Sequence, residues 1–221
     1  MTMRYLLLGL LGAAVFLYAR LAGFSELGLL SKGVPVMALL LWLRTAPSSL
    51  YRRWISLGLL CSLLGDILLD WPGDLFVFGL GAFLLAHLAY LRAYLSDCKQ
   101  PAWLSLLFAL ATGGTMFAIL ASAHLGPLLI PMACYASAIS AMLWRALARL
   151  GQPGLPSTST RLAAAGAVLF VLSDSLIGIN RFVAPFAAAP LAIMLSYWLG
   201  QWAIAASAFK QPHRTGNSAL S

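Results

Sequence analysis

Residues 54–70 read WISLGLLCSLLGDILLD: twelve residues from Trp54 pass without a charge, then Asp66 interrupts the run and Asp70 follows one helical turn later. The run is too long for a typical strand and has no period-two alternation, so it reads as a helix. Its composition is that of a membrane span. The rest of the chain agrees, because 62% of its 221 residues are hydrophobic and 9% are charged, whereas roughly a quarter of a soluble domain is charged.

Working outward, apolar runs bounded by charges, Pro or Gly place helices near residues 5–22, 29–43, 54–70, 76–95, 102–122, 126–147, 161–181 and 187–209. At about 20 residues per crossing the expected fold is all-α, one polytopic membrane domain of eight transmembrane helices over residues 1–209. Residues 1–23 mimic a signal peptide, with a basic residue before an apolar stretch. No small-x-small cleavage site follows, so they are taken as the first helix. The polar segment 210–221, with Pro212 and Gly216, is expected to be a disordered cytoplasmic tail.

The net charge of +8 does not imply nucleic acid, since the basic residues lie at helix ends instead of forming a stripe interleaved with aromatics. They read as topology signals. One face would carry Arg4, Arg44, Arg52, Arg53, Arg92, Lys99, Arg145, Arg149, Arg161, Lys210 and Arg214, and the other Arg20, Lys32 and Arg181, 11 against 3. Positive charge stays inside, so both termini are expected in the cytoplasm and the protein in the plasma membrane, the inner membrane of a bacterium. Cys61 and Cys134 lie in apolar runs and Cys98 in a short loop, in no metal-like spacing, and no disulfide is expected.

The segment Leu64-Gly65-Asp66-Ile67-Leu68 has a counterpart in Leu172-Ser173-Asp174-Ser175-Leu176, four helices later. An even offset would make a four-plus-four repeat parallel and leave the two aspartates at comparable depth. Chance similarity is the other reading.

A charged Asp at mid-helix costs about 2.5 to 3.5 kcal/mol on insertion scales, so Asp66 and Asp174 are expected to face the bundle interior with partners. Both lie about four to seven residues from the outer helix end, roughly 6 to 10 Å deep, which suits a pocket open to the outer half of the membrane. A role as interhelical hydrogen-bonding glue is the bland alternative. Asp70 shares a helix face with Asp66, and Asp74 follows the turn Trp71-Pro72-Gly73 as an ordinary surface charge.

Lys32 opens the second helix and Arg181 closes the seventh, both on the face where positive charge is otherwise avoided. A guanidinium two turns beyond Asp174 can hold an anion about 10 Å outward of it. Snorkelling to the interface is the alternative for each. His87 with Tyr90 and Tyr94 makes one polar-aromatic stripe, and Tyr135, Tyr197 and Gln201 add inward polar candidates. His124 falls in a loop and His213 in the tail, so neither a three-His zinc site nor a paired haem site can be built, and no metal or cofactor is expected. Nucleophile-elbow serines and phosphate-binding glycine loops are absent from the sequence.

Leu64-Gly65-Asp66-Ile67-Leu68-Leu69, followed by Phe83-Leu84-Leu85-Ala86-His87-Leu88-Ala89-Tyr90, resembles the YhhN family of lysoplasmalogenases. Phe170-Val171-Leu172-Ser173-Asp174-Ser175-Leu176 with Asn180-Arg181-Phe182 is similar to that family's second aspartate motif. Tyr135 and Met142, and Tyr197 to Gln201, resemble its other landmarks, so the likeness spans helices two to eight. Two positions depart from the pattern: Lys32 is followed by Gly33, with the proline only at Pro35, and Gly200 stands where Ala is expected.

The resemblance implies hydrolysis of the vinyl ether bond of a lysoplasmalogen to a fatty aldehyde and a glycerophospho-ethanolamine or -choline. Its substrate is a lysophospholipid and its surroundings are membrane lipid. Vinyl ethers are cleaved by protonating the outer alkenyl carbon and capturing the oxocarbenium ion with water, which calls for one neutral carboxylic acid and one carboxylate. Two carboxyls close together in an apolar setting share one proton, and Asp66 with Asp174 are expected to be that pair. Lys32, Asp70, His87, Tyr90, Tyr135, Ser173, Asn180, Arg181, Tyr197 and Gln201 are the expected substrate contacts, with His87, Tyr90, Tyr135, Tyr197 and Gln201 lining the floor. A proton-coupled lipid or small-molecule transporter is the leading alternative. A membrane aspartyl protease is a second, but Leu63-Leu64-Gly65-Asp66 lacks the first glycine of that motif.

Overall fold

The computed structural model describes residues 1–210. The tail expected to be disordered lies outside the described residues, apart from Lys210. The described residues form helices α1 (Met3–Ala22), α2 (Ser25–Lys32), α3 (Val34–Leu43), α4 (Leu50–Asp70), α5 (Phe76–Asp97), α6 (Trp103–Ala121), α7 (Leu129–Ala148), α8 (Ser157–Gly178) and α9 (Ala189–Ser207), with no strand among them. Seven segments are long and apolar enough to cross a membrane, α2 and α3 counting together as Ser25–Leu43. The remaining long helix, α4, has 21 residues and is not among them, because Arg52, Arg53, Asp66 and Asp70 dilute its apolar character. The chain is a multi-pass membrane protein.

The second crossing differs from expectation. It begins at Ser25 and breaks at Gly33, so Lys32 closes a short helix instead of opening a long one. Pro35 causes the break, because it has no N–H to offer the carbonyl of Ser31 and its ring crowds that carbonyl. The ladder resumes from Gly33, whose carbonyl accepts Met37 N–H at 2.9 Å. The counterpart in the second half of the chain, α7, is continuous, and a four-plus-four repeat is not confirmed. Elsewhere the ends follow local chemistry: Gly23 closes α1 in the left-handed region at φ 78°, and Ser49 caps α4 by accepting Arg52 N–H at 3.0 Å.

In lipid, helices gain little from hiding apolar surface, so close backbone approach and interhelical hydrogen bonds hold the bundle. The most extensive pairings are α4 with α5 and α8 with α9. In the second pair Gly166 and Gly200 face each other, and a methyl at Gly166 would meet Gly200 O at 2.8 Å and Ile204 N at 2.9 Å. Since both obstacles are backbone, Gly166→Ala is expected to part α8 from α9 and cost about 1–3 kcal/mol. Thermal unfolding in detergent measures it, and an unchanged midpoint would show that the crossing can relax.

Basic residues are not all topology signals. Arg149 is fully buried; its Nε and Nη2 donate to both Asp97 carboxylate oxygens at 2.9 and 2.7 Å, and Nη1 reaches Tyr51 Oη at 3.2 Å. Arg145 is buried as well and donates to the carbonyls of Gln100 and Cys98. These two clamp the helix ends opposite the site end, and Cys98, expected in a loop, is buried there. By contrast α6 packs extensively only on α7, with Leu104, Leu107, Phe108 and Leu110 exposed on its outer face.

Candidate functional site

The C-terminal ends of α1, α2, α4 and α8 meet the N-terminal ends of α5 and α9 around one cavity of about 270 Å³. Asp66 from α4 and Asp174 from α8 both line it, with Lys32, Asp70, Ser173, Asn180, Arg181 and Tyr197. Eight residues singled out in the sequence thus share one wall, although they come from five different segments.

The two carboxyls are held alike. Asp66 is buried, and Tyr197 Oη on α9 donates to its Oδ2 at 2.7 Å. Tyr135 Oη on α7 donates to Asp174 Oδ2 at 2.5 Å. The approach that makes this possible is local to the motif: a methyl at Gly65 would meet the Phe83 ring at 2.6 Å, so the glycine before Asp66 is what lets α5 come close. Phe170, one turn before Asp174, packs edge-on against Phe83, Tyr197 and His87, with ring centroids 6.0, 5.5 and 4.7 Å away. Phe170, Phe83 and Tyr197 thus form an aromatic wall, with His87 against Phe170.

His87 lies behind that wall. It is fully buried, its Nε2 is 3.4 Å from Asp174 Oδ2, and neither ring nitrogen has a hydrogen-bond partner. Tyr90 and Gln201 lie deeper still, Tyr90 Oη donating to Gln201 Oε1 at 2.7 Å. None of the three lines the cavity, where they were expected on its floor; His87 instead approaches Asp174 from the buried side. Ser173 Oγ donates to Ile193 O at 3.1 Å, tying α8 to α9, and Asn180 Oδ1 accepts Phe186 N–H at 3.2 Å. Asn180 and Arg181 sit on a π-helical turn, Ile179–Val183, a local widening that often marks functional sites.

At the mouth stand the three cations that broke the charge rule. Lys32 Nζ bonds Asp70 Oδ1 at 2.9 Å. Arg181 bonds Asp74 Oδ1 at 3.0 Å and lies over the Phe76 ring at 4.0 Å. Asp74, read from sequence as a bystander, occupies a left-handed turn position at φ 50° and is the partner of Arg181. Arg20 also lines the cavity and has no ion pair among the described residues. Its signal in the sequence is the one it shares with Lys32 and Arg181, a positive charge on the face that otherwise avoids it.

A second cavity, of about 70 Å³ and almost wholly apolar, opens behind Asp174 between α6 and the rest of the bundle. Tyr135 and Asp174 line it, together with Leu80, Met116, Phe117 and Met132. Leu69, Phe76, Phe83, Asp174 and Ile177 border both cavities, whereas Asp66 borders only the polar one. Nothing in the sequence marks this chamber, because its walls are ordinary membrane-helix residues. Among the described residues no three His, Cys, Asp or Glu side chains come close enough to share a metal ion.

The family model of the YhhN family matches residues 27–208. Human lysoplasmalogenase TMEM86B is 38% identical over 186 residues, 83% of this chain and 76% of that protein. A lysoplasmalogenase of Mycobacterium bovis is 39% identical over 166 residues, 72% of this chain and 61% of that protein. Human lysoplasmalogenase TMEM86A is 34% identical over 157 residues, 70% and 64% of the respective chains. No solved structure matches the chain. With the match covering every helix from the second crossing onward, both aspartates and both tyrosines that hold them, the chain belongs to the YhhN family.

Proposed function

We propose that this protein hydrolyses the vinyl ether bond of lysoplasmalogens, releasing a fatty aldehyde and a glycerophospho-ethanolamine or -choline. The observation that carries the reading is the pair of carboxyls on one cavity wall, each held by a tyrosine hydroxyl, between an apolar chamber and a cationic mouth. Relatives named lysoplasmalogenase support it.

The two chambers orient a single-chain lipid. A phosphate belongs at the mouth with Arg20, Lys32 and Arg181, and a hydrocarbon chain in the apolar chamber, so the alkenyl group lies between. Within that group the carbon to be protonated is on the chain side and the carbon to be hydrated is bonded to the ether oxygen. Asp174, which borders the apolar chamber, is therefore the acid, and Asp66, which borders only the polar one, is the carboxylate.

The steps balance. Asp174 gives its proton to the outer alkenyl carbon, and the oxocarbenium ion forms beside the Asp66 carboxylate, which stabilises it. Asp66 takes a proton from water as its oxygen bonds to the cationic carbon. The hemiacetal collapses as Asp66 returns that proton to the departing glycerol oxygen and Asp174 takes the hemiacetal hydroxyl proton. Each carboxyl ends as it began. Tyr135 and Tyr197 hold the two carboxyls in place.

Purified protein should release aldehyde from a lysoplasmalogen and no fatty acid from an ester lysolipid of the same chain. Lipid uptake into vesicles without product would favour a transporter. Arg20→Ala and Arg181→Ala should each raise the lysolipid concentration needed for half-maximal rate about tenfold, the scale of one lost charge-assisted hydrogen bond, with turnover unchanged. An unaltered concentration dependence would remove the phosphate role. The same charge distribution supports a plasma-membrane location with both termini cytoplasmic and the cavity opening outward.

A further inference from the structure

The apolar chamber behind Asp174 holds about 70 Å³, room for roughly five water-sized groups and far less than a long hydrocarbon chain needs. Its outer wall is α6, the least integrated helix of the bundle. Beyond that wall, along the seam of α6 and α7, runs a second apolar space of about 430 Å³, lined by Leu106, Leu110, Ala133 and Trp144 among others. Gly113, Phe117 and Ala136 border both spaces.

Gly113 and Gly114 stand together in the middle of α6, where each weakens the helix by about 1 kcal/mol relative to Ala. The first is used for contact, since a Cβ at Gly113 would collide with Ser140 Oγ on α7; the second has open space around it. Gly113 thus closes α6 onto α7, and what parts the chamber from the groove beyond this contact is the Phe117 side chain, which borders both spaces together with Ala136.

We infer that the α6–α7 seam is the passage for the hydrocarbon chain: its first carbons lie behind Asp174, and the remainder passes the Phe117 side chain, beside Ala136, into the groove facing lipid. This rests on the hydrolase reading above. The chain is the occupant because the groove continues the chamber bordered by Asp174 and Tyr135. The aldehyde, which keeps the chain, then leaves sideways into the membrane while the glycerophospho head leaves through the cationic mouth. Ala136 acts as a chain-length determinant and touches none of the reacting atoms.

Two measurements test this. With octenyl and octadecenyl lysoplasmalogens, Ala136→Leu should lower kcat/KM for the long chain about tenfold more than for the short one, the scale of a misplaced methylene in an apolar pocket. Equal loss for both chains, or none for either, would overturn the passage. In the wild-type protein, a lysoplasmalogen with a diazirine near the chain end should label residues 106–117 of α6 or 133–144 of α7. Aldehyde release with labelling confined to other helices would overturn the passage and spare the hydrolase. Labelling of the seam without aldehyde from any substrate would support the passage and remove the hydrolase.

Discussion

Asp174→Asn and Asp66→Asn are each expected to lower aldehyde release about a thousandfold, within the range usual for loss of a general acid or base, while both proteins still insert and purify. Asn has nearly the shape of Asp, and its amide oxygen can still accept from Tyr135 or Tyr197, so the helix contacts survive. The proton does not, since an amide can neither deliver it to carbon nor accept it from water. The two variants should then part company with a lysolipid whose vinyl ether is replaced by a secondary ammonium, a stable mimic of the cationic intermediate. Asp66→Asn should weaken its binding about tenfold, and Asp174→Asn much less, because the positive charge lies beside Asp66. The reverse order would exchange the two roles, and wild-type turnover in both variants would remove the pair from catalysis.

Arg149→Met is expected to cost about 3–5 kcal/mol of stability, because it strands the largely buried Asp97 carboxylate without its partner. Thermal unfolding in detergent should show it as a large drop in midpoint or as failure to purify. Adding Asp97→Asn should recover part of the loss, since the stranded charge is then gone. A midpoint equal to wild type in the single variant would mean that water reaches Asp97 and the clamp contributes nothing. The pair lies at the end of the bundle away from the cavity, so molecules that do fold should retain turnover. That separates this effect from the aspartate variants, which lose turnover and keep stability.

Much of the architecture was legible because lipid punishes exposed polar backbone and charge so heavily that runs of apolar residues have one reading. The break at Gly33 was less so: Pro35 was visible, but an apolar run from 29 to 43 masked the short helix before it. The aspartates stood out for the same reason the spans did, as charges where charge is costly. Arg20 could have been found with Lys32 and Arg181 by following the charge rule to its third exception. The burial of Arg145 and Arg149 was not legible, because a charge at a helix end looks the same in a string of letters whether or not it is buried; only Asp97 and the carbonyls of Cys98 and Gln100 around them reveal it.

The all-helical membrane architecture and the residues whose burial needed explaining, Asp66 and Asp174 above all, were determined by the sequence alone, through the cost of charge in an apolar medium. The tertiary structure decided what those residues meet: a tyrosine hydroxyl for each carboxyl, three cations at one mouth, His87, Tyr90 and Gln201 behind the wall instead of on it, and an apolar chamber reached by Asp174 but not by Asp66. The physical reason is that cost is a property of one residue and its neighbours along a helix. Partnership depends on which helices touch, and in lipid that is settled by the bare contacts at Gly65, Gly113 and Gly166, whose significance appears only when the opposing side chains are in place.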